Sequence, residues 1–458
     1  MTDANAHELP SLQVHVVEVG ASARRDWLKC QLGTHLNFNT HALASYFFVA
    51  WEPMVYDALL LAAAIEFCDR TLRRSKRLWG RSFRLHLPVH EPDKWNDAVL
   101  ASLHDAVELL TGDRWDITVY RRKSEAPPPP QSQLFLPTNV QAVMPFSDGL
   151  DSRAVSALMD KELGDQIVRV RLGSKTADQP KTESGRNAPF TAVPYKIVSA
   201  SRFAESTARS RGFKFGMLSG IAAYLAKAPQ VIVPESGQGA LGPVLVVPGQ
   251  AYEDYRNHPL FTVRMSALLK ALLGYDVRYE FPRLWFTKGE TLSAYASADR
   301  PMEWAATRSC WQDNRHASVD DHRRQCGICA ACMLRRMSIH YAGLKENDGT
   351  YIWDNLGAPE FQAAAATGYR QASSKAQREY AIAGTLHLEH LSSLRQSRLA
   401  EQTLGLATFQ LAQALGISEN TVRENLDRLL SQHEKEWTDY MTSLGPNSFV
   451  AGFAGRGQ

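Results

Sequence analysis

The first 123 residues alternate between apolar runs and amphipathic segments, a pattern typical of a compact domain that mixes helices with strands. Alternating polar and apolar residues indicate strands, whereas apolar residues recurring every three or four positions indicate helices. The predicted strands are 12–19, 82–89 and 115–120, and the predicted helices are 41–72 and 95–110. We therefore expect an α+β N-terminal domain. Its sequence leaves open whether it binds a partner or clamps a substrate.

From residue 134 onward, predicted strands and helices alternate, which is typical of an open, mostly parallel α/β sheet. The predicted strands are 140–146, 166–172, 192–198 and 230–233, and the predicted helices are 151–163 and 203–227. In such folds, ligands bind outside the carboxyl ends of the strands. The loops 147–152 and 235–242 both fall there, so we expect them to share one cleft.

Four consecutive prolines at 127–130 indicate a linker, because proline continues neither a helix nor a central strand. Beyond residue 341 the pattern is predominantly helical, and the glycine-rich tail 445–458 is expected to be disordered. Helices are predicted within this part at 361–365, 374–384 and 394–404. The predicted organisation is an α+β domain, a linker, an α/β domain and a helical domain, at 1–123, 124–135, 136–345 and 346–458.

Length and composition indicate a multidomain protein of the soluble class. A chain of 458 residues is too long for one typical core. Its net charge of +3 is too small to indicate nucleic acid or an anionic membrane as a partner. Three acidic residues, Glu52, Asp57 and Glu66, interrupt the most apolar segment, which argues against a membrane span. A cytoplasmic location is therefore expected.

A short loop between a predicted strand and a predicted helix has the composition of a phosphate site. It reads Ser147-Asp148-Gly149-Leu150-Asp151-Ser152. The unpaired N–H groups and the positive dipole end of a helix N-terminus bind phosphate without a lysine. Ser147 and Ser152 add hydroxyl donors, Gly149 permits close approach, and Asp151 is a candidate Mg²⁺ ligand. An ordinary helix N-cap is the alternative interpretation.

A second glycine-rich segment, 237–242, fits the spacing of a dinucleotide-binding fingerprint. That fingerprint requires a helix to begin at its third glycine, whereas Pro243 and the valines that follow favour extended chain. We therefore interpret the segment, including Gly237, as a glycine-rich wall of the cleft. Glu235 is a candidate hydrogen-bond acceptor for a ligand. A Walker A motif is missing, so any ATP is bound in another way.

Four of the six cysteines lie close together in the spacing C-x15-C-x2-C-x2-C. They are Cys310, Cys326, Cys329 and Cys332. Four thiolates suit a closed, tetrahedral Zn²⁺ site, and such a structural site contributes roughly 10 to 16 kcal/mol of apparent folding free energy. An iron–sulfur cluster is the alternative, but the spacing is not that of a ferredoxin. We predict structural zinc.

The loop and the cysteines, in this order and separation, resemble the QueC family, the 7-cyano-7-deazaguanine synthases. The resemblance covers about residues 136–345, and Arg211 lies in a stretch that weakly resembles the family's G-R-N. The matching positions are Ser147, Gly149, Asp151, Ser152, Cys310, Cys326, Gly327, Cys329, Cys332 and Arg335. Asp148 stands where the family has glycine, which implies altered Mg²⁺ or phosphate geometry. The additional terminal regions resemble the QatC branch, a component of the Qat anti-phage defence systems.

The resemblance implies an α/β fold of the pyrophosphate-loop (adenine nucleotide alpha hydrolase-like) type and an ATP-dependent carbon–nitrogen ligase. The implied reaction adenylates the carboxylate of 7-carboxy-7-deazaguanine, a small-molecule deazapurine, and ammonia then gives an amide. A second ATP drives dehydration to the nitrile. The implied cofactors are ATP, Mg²⁺ and structural Zn²⁺. ATP would bind residues 147–152 and Arg211, with Ser147 and Asp151 catalytic, whereas Glu235 and Gly237 are assigned to the substrate.

Two other functions remain open. If the acceptor were an amine of a partner protein from the same defence system, the product would be a secondary amide, which cannot dehydrate to a nitrile. Residues 409–432 also resemble a helix-turn-helix, so DNA binding is the second class of function. We do not favour nucleic acid, because three acidic residues outnumber two basic ones in the second helix of this motif.

Overall fold

The computed structural model of the protein describes residues 9–39, 52–75, 78–125, 139–147, 149–171, 194–205, 208–247, 252–298, 304–312, 317–319, 322–372 and 374–456. The strands are β1 Ser11–Val17, β2 Leu28–Gln31, β3 Leu36–Phe38, β4 Ser82–Val89, β5 Arg114–Arg121, β6 Ala142–Phe146, β7 Ile167–Arg171, β8 Tyr195–Ile197, β9 Gln230–Ile232, β10 Arg278–Glu280, β11 Ser318–Val319 and β12 His322–Arg323. The helices are α1 Pro53–Thr71, α2 Asp97–Thr111, α3 Leu150–Leu163, α4 Arg211–Ala226, α5 Gly237–Ala240, α6 Gly242–Leu245, α7 Pro259–Leu273, α8 Lys288–Ala296, α9 Ala330–Tyr341, α10 Lys375–Ser393, α11 Glu401–Leu415, α12 Glu419–Leu444 and α13 Phe449–Phe453.

The chain divides into two compact units that do not follow the predicted domain boundaries. The first unit comprises Met1–Phe146, Leu163–Val233 and Tyr255–Glu280. The second comprises Ser147–Glu162, Pro234–Asp254 and Phe281–Gln458. Residues of the predicted α/β domain 136–345 therefore occur in both units, and the C-terminal helices share a unit with the cysteines. Most of the predicted linker, from residue 126 onward, lies outside the described residues.

The first unit is built on two parallel sheets. The strand order is β2-β1-β4-β5 in one sheet and β10-β9-β6-β7 in the other, and all neighbouring pairs in both sheets run parallel. The predicted α+β class of the N-terminal region is therefore wrong, because its sheet has the parallel order of an α/β structure. The antiparallel pair of β3 and β8 joins the N-terminal region to a later part of the same unit.

Helix α4 begins later than the sequence predicted. The prediction was 203–227, whereas the helix spans Arg211–Ala226. The residue before it, Ser210, donates its backbone N–H to Asp69 Oδ2 over 2.7 Å, which fixes the start of the helix against α1. Further upstream, the Phe203 ring packs edge-on against Phe67 at 6.0 Å between centroids. Tertiary contacts therefore hold the preceding segment as a loop.

The second unit is helical around a large aromatic core. The main core packs the cysteine segment and α9 against α10, α12 and α13, with Trp353 and Trp437 fully buried at its centre. A second cluster packs α11 and α12 against the glycine-rich segment 240–245. The predicted helical C-terminal region is therefore present, and it contacts residues that precede it by up to 195 positions.

Three further predictions about the second unit are wrong. The glycine-rich segment forms the short helices α5 and α6 instead of extended chain, because Pro243 stands in the first turn of α6, where a missing N–H is tolerated. The tail contains α13, which Ser448 caps by accepting the Ala451 N–H, and buries Phe449. Residues 361–365 form turns instead of a helix. The helices predicted at 374–384 and 394–404 correspond to the longer α10 and to α11, which begins only at Glu401.

No helix in the described ranges combines the length and apolar composition needed to cross a membrane.

Candidate functional site

The predicted phosphate loop joins strand β6 to helix α3, as expected from the sequence. Ser147 Oγ and Ser152 Oγ lie 2.9 Å apart and share a hydrogen bond. The Gly149 N–H donates to Ser147 Oγ over 3.2 Å, and a Cβ on Gly149 would lie only 3.0 Å from that oxygen. The loop thus folds tightly around two hydroxyl groups at the start of a helix. Asp148 lies outside the described residues.

Asp151, in the first turn of α3, forms an ion pair with Lys288 at the start of α8. Both side chains are shielded from water, with 16% of Asp151 and 7% of Lys288 exposed. One carboxylate oxygen, Oδ2, accepts from Lys288 Nζ, whereas Oδ1 is buried without a hydrogen-bond partner in the described part of the chain. A buried acceptor in this state is unfavourable unless water or a ligand supplies a donor or a cation.

The position of Lys288 is set by the cap of its helix. Thr287 and Glu290 form a reciprocal capping box, in which each side chain accepts from the backbone N–H of the other. The backbone N–H of Lys288 donates to Gln238 Oε1 over 2.7 Å. In these bonds, side chains accept from the first N–H groups of α8. The Lys288 side chain therefore extends from a helix end whose backbone is held in place.

The two residues assigned to the substrate lie beside Gln238 in the second unit, and both have structural explanations. Gly237 is buried, and a Cβ there would lie 2.1 Å from the Leu284 carbonyl oxygen, so glycine is required for packing. A Cβ on Gly239 would lie 2.1 Å from Glu235 Oε1, so the Glu235 carboxylate crosses over that glycine. Their roles in substrate binding remain predictions.

Arg211 belongs to the first unit, where it begins helix α4. Its guanidinium lies over the Phe215 ring, 4.9 Å from the centroid. Burial lowers the pKa of Arg211, and the neighbouring Arg256 lowers it further. The Glu66 carboxylate opposes this shift by raising the pKa of Arg211. The predicted contact of Arg211 with ATP remains a prediction.

The four predicted metal ligands converge on one point. The Sγ atoms of Cys310, Cys326, Cys329 and Cys332 all lie within 4.8 Å of one another. A tetrahedron of Zn–S bonds of about 2.3 Å separates its sulfurs by about 3.8 Å, and Cys326 Sγ lies 3.8 Å from Cys332 Sγ. Burial raises the pKa of the Cys326 and Cys332 thiols. A bound dication would provide the compensation that three buried thiolates and a half-buried fourth require.

Backbone N–H groups and two glycines shape the cysteine segment. The backbone N–H of Cys329 donates to Cys326 Sγ over 3.3 Å, which is typical of a metal-binding turn. Gly327 has φ +87°, and a Cβ there would lie 2.6 Å from the Trp353 carbonyl oxygen. Gly384 of α10 packs against the same turn, since a Cβ added to it would lie 2.7 Å from Ile328 O. The C-terminal region therefore packs directly on the candidate metal site.

Arg335, which matches a family position, is fully buried in α9. Its Nε donates to Glu346 Oε1 over 2.7 Å, and a terminal nitrogen donates to Thr307 Oγ1 over 2.7 Å. Because these bonds join α9 to the segments on either side of it, the arginine stabilises the frame of the cysteine site.

The elements of the predicted helix-turn-helix are present, and one of the two basic residues in its second helix is paired within the protein. Gly416 adopts φ +66° between α11 and α12, and Ser418 caps α12 by accepting the Thr421 N–H over 3.1 Å. Arg428 pairs with Glu290, which leaves it unsuited to contact phosphate.

Three residues of the site, Lys288, Gln238 and His433, were not predicted from the sequence. Lys288 could have been noticed, because Thr287 and Glu290 have the spacing of a capping box and predict a helix that begins with this lysine. Gln238 and His433 have no local signal, because their roles depend on partners 50 and 195 positions away.

Comparison with known proteins supports the same class of protein as the loop and the cysteines. Residues 245–343, which include Lys288 and all four cysteines, match the family described as QueC: Queuosine biosynthesis protein QueC. The chain is also similar to the 7-cyano-7-deazaguanine synthase of Ralstonia nicotianae, with 24% identity over 224 residues. The alignment covers 45% of this chain and 96% of that relative. No solved structure matches the chain significantly. These similarities support a QueC-like, ATP-using enzyme of deazaguanine chemistry.

Proposed function

We propose that the protein activates the carboxylate of 7-carboxy-7-deazaguanine, or of a similar deazapurine, by adenylation and then forms a carbon–nitrogen bond. One observation carries the proposal: a hydroxyl-rich loop opens α3 beside the shielded Asp151–Lys288 pair, in the same unit as the cysteine cluster. Such a loop provides the donors that a pyrophosphate group needs, and the lysine provides positive charge. The similarity to a 7-cyano-7-deazaguanine synthase supports the substrate class.

Each residue of the loop has its own proposed role in binding ATP. Ser147 and Ser152 donate hydroxyl hydrogens to phosphate oxygens, and the backbone around Gly149 and Leu150 approaches them closely. Asp151 fits an Mg²⁺ ligand, because its Oδ1 is buried and unpartnered among the described residues. With Mg²⁺ held at Asp151, Lys288 would be free to pair its ammonium with phosphate instead of with the carboxylate.

Two bonds change in each half of the proposed reaction. A carboxylate oxygen of the substrate forms a bond with the α-phosphorus of ATP, and the bond to the leaving pyrophosphate breaks. An amine nitrogen then attacks the acyl carbon, AMP leaves with the bonding electrons, and the nitrogen loses a proton. Lys288 and the loop donors stabilise the charge on the departing pyrophosphate. The protein supplies position and charge, and no covalent residue is needed.

The metal is proposed to be structural. Four thiolates complete a tetrahedral Zn²⁺ site and leave no position for water or substrate. Cys310, Cys326, Cys329 and Cys332 fit such a site by the convergence of their sulfurs. The ion would join the cysteine turn to α9.

Arg211 is proposed to contact ATP, and Glu235 and Gly237 are proposed to contact the deazapurine base.

The nature of the amine acceptor determines which of two products forms. Ammonia as acceptor gives an amide, which a second ATP converts to the nitrile, whereas a protein amine gives a stable conjugate. More than half of this chain lies outside the alignment to the synthase, which leaves room for docking a partner protein. We propose a role in anti-phage defence as in the QatC branch, with ligation to a partner as the second candidate. DNA binding is not retained, since acidic residues outnumber basic ones in the second helix of the motif and Arg428 pairs with Glu290.

Mass spectrometry separates these products. The protein is incubated with ATP, Mg²⁺, 7-carboxy-7-deazaguanine and ammonium, with and without candidate partner proteins. Free nitrile or amide with AMP supports the synthase reaction, and a deazaguanine mass added to a partner supports ligation. Formation of no AMP under any of these conditions would contradict carboxylate activation.

A further inference from the structure

A buried line of hydrogen bonds connects the C-terminal helices to Lys288. His433 of α12 lies against the Leu388 carbonyl oxygen of α10, 3.0 Å from its Nε2. Gln238 Nε2 lies 2.7 Å from His433 Nδ1, and Gln238 Oε1 accepts the Lys288 N–H over 2.7 Å. The side chain of the same lysine then donates from Nζ to Asp151 Oδ2.

The direction of every bond in this line is fixed by the backbone at its two ends. A carbonyl oxygen only accepts, so His433 must carry its proton on Nε2 and leave Nδ1 bare. A backbone N–H only donates, so Gln238 must turn its oxygen to Lys288 and its amide hydrogens to Nδ1. His433 is fully buried, and burial lowers its pKa to about 4, so the ring is neutral as the pattern requires.

A second contact holds the same helix end. Glu436, one turn after His433 on α12, accepts from Thr287 Oγ1 and from Gln432 Nε2. Its other oxygen is buried, and a Cβ on Gly289 would lie 2.7 Å from it. The first turn of α8 is therefore enclosed by α12. Helices α10 and α12 both lie outside residues 245–343, the part that matches the QueC family.

We infer that His433 and Gln238 are positioning residues, through which the C-terminal helices hold Lys288 at the phosphate loop. The C-terminal region thus contributes to the geometry of the proposed active site. This inference rests on the proposed function for its effect on catalysis. Its structural part, the control of the Lys288 backbone by His433, can be measured without substrate.

Two substitutions of nearly equal size separate positioning from packing. His433→Asn keeps an acceptor where Nδ1 stood, so Gln238 keeps its partner while the bond to Leu388 is lost. His433→Gln keeps a donor where Nε2 stood, so the bond to Leu388 is kept while Gln238 loses its acceptor. If His433 positions Lys288, the backbone at Lys288 should be less ordered in His433→Gln than in His433→Asn. If His433 only holds α12 to α10, it should be less ordered in His433→Asn.

The first measurement is hydrogen exchange of the Lys288 amide in the full-length, substrate-free protein. We expect protection in the wild type and in His433→Asn, and faster exchange in His433→Gln, because an unpaired buried Gln238 amide turns away from Lys288. Equal exchange in the two variants, or faster exchange in His433→Asn, would overturn the inference. Melting temperatures identify any general loss of stability.

The second measurement is ATP-dependent pyrophosphate release with 7-carboxy-7-deazaguanine. We expect kcat to fall about tenfold to a hundredfold in His433→Gln, with a smaller loss in His433→Asn, since small misplacements of a catalytic group have effects of this order. Loss of activity that follows the melting temperatures instead would assign His433 to packing. If the wild type releases no pyrophosphate, the proposed function fails, and the exchange result alone decides the inference.

Discussion

Replacing Gly384 by alanine tests the link between the C-terminal region and the cysteine site. The added Cβ would lie 2.7 Å from Ile328 O, 2.8 Å from Ala330 N and 3.0 Å from Cys329 C. All three atoms belong to the backbone of the turn that carries two of the sulfurs, so they cannot move aside as a flexible side chain does. Overpacking of this kind costs about 1 to 3 kcal/mol, occasionally more. We expect a destabilisation at the upper end of this range, together with weakened metal retention.

The assay combines thermal unfolding with the zinc content of the purified protein and the rate of metal transfer to a chelator. Gly405→Ala is the matched control, because Gly405 also lies in a helix but has nothing within 4 Å of its Cβ position. There, alanine should stabilise by about 0.5 to 1 kcal/mol through helix propensity. If Gly384→Ala matched the wild type in melting temperature and in metal retention, the packing of α10 on the cysteine turn would be refuted.

Two further changes test the metal site and the buried carboxylate. Cys329→Ala should lose zinc and soluble protein together, measured by metal analysis of the soluble fraction; full zinc content would contradict the ligand assignment. Glu436→Gln should stabilise the protein above pH 7 by up to about 3 kcal/mol, because burial raises the pKa of Glu436 from 4.5 to about 7. The folded state holds this proton between those pH values while the unfolded state has lost it, so wild-type stability falls as pH rises through that window. Denaturant unfolding should show the two proteins converging below about pH 4.5, and a gap independent of pH would contradict the reasoning.

Local patterns predicted those elements whose cause is local. Strand β4 has the predicted bounds, 82–89, because polar and apolar residues alternate on a strand that lies between two neighbours. The strand–loop–helix around residues 147–152 and the convergence of the four cysteines were likewise predicted, since each motif occupies a short stretch. The glycine-rich tail was predicted wrongly, because Phe449 and Phe453 pack with Phe361, an interaction that composition does not reveal.

The parts of the candidate site that could not be predicted depend on distant pairs. Asp151 and Lys288 are 137 positions apart, and Gln238 and His433 are 195 positions apart. Neither pair has a periodicity or a spacing that a single sequence exposes. The parallel order of the N-terminal sheet was missed for the same reason, because β1 and β4 pair across more than sixty residues.

The most direct test of the account is AMP formation from ATP and 7-carboxy-7-deazaguanine, compared between Asp151→Asn and Glu162→Gln. Both changes remove one carboxylate charge from α3, but Asp151 pairs with Lys288 whereas Glu162 is exposed near the end of the helix. We expect AMP and pyrophosphate from the wild type and from Glu162→Gln, and none from Asp151→Asn, with unchanged zinc content in all three. Normal AMP formation by Asp151→Asn, or none by the wild type, would contradict it.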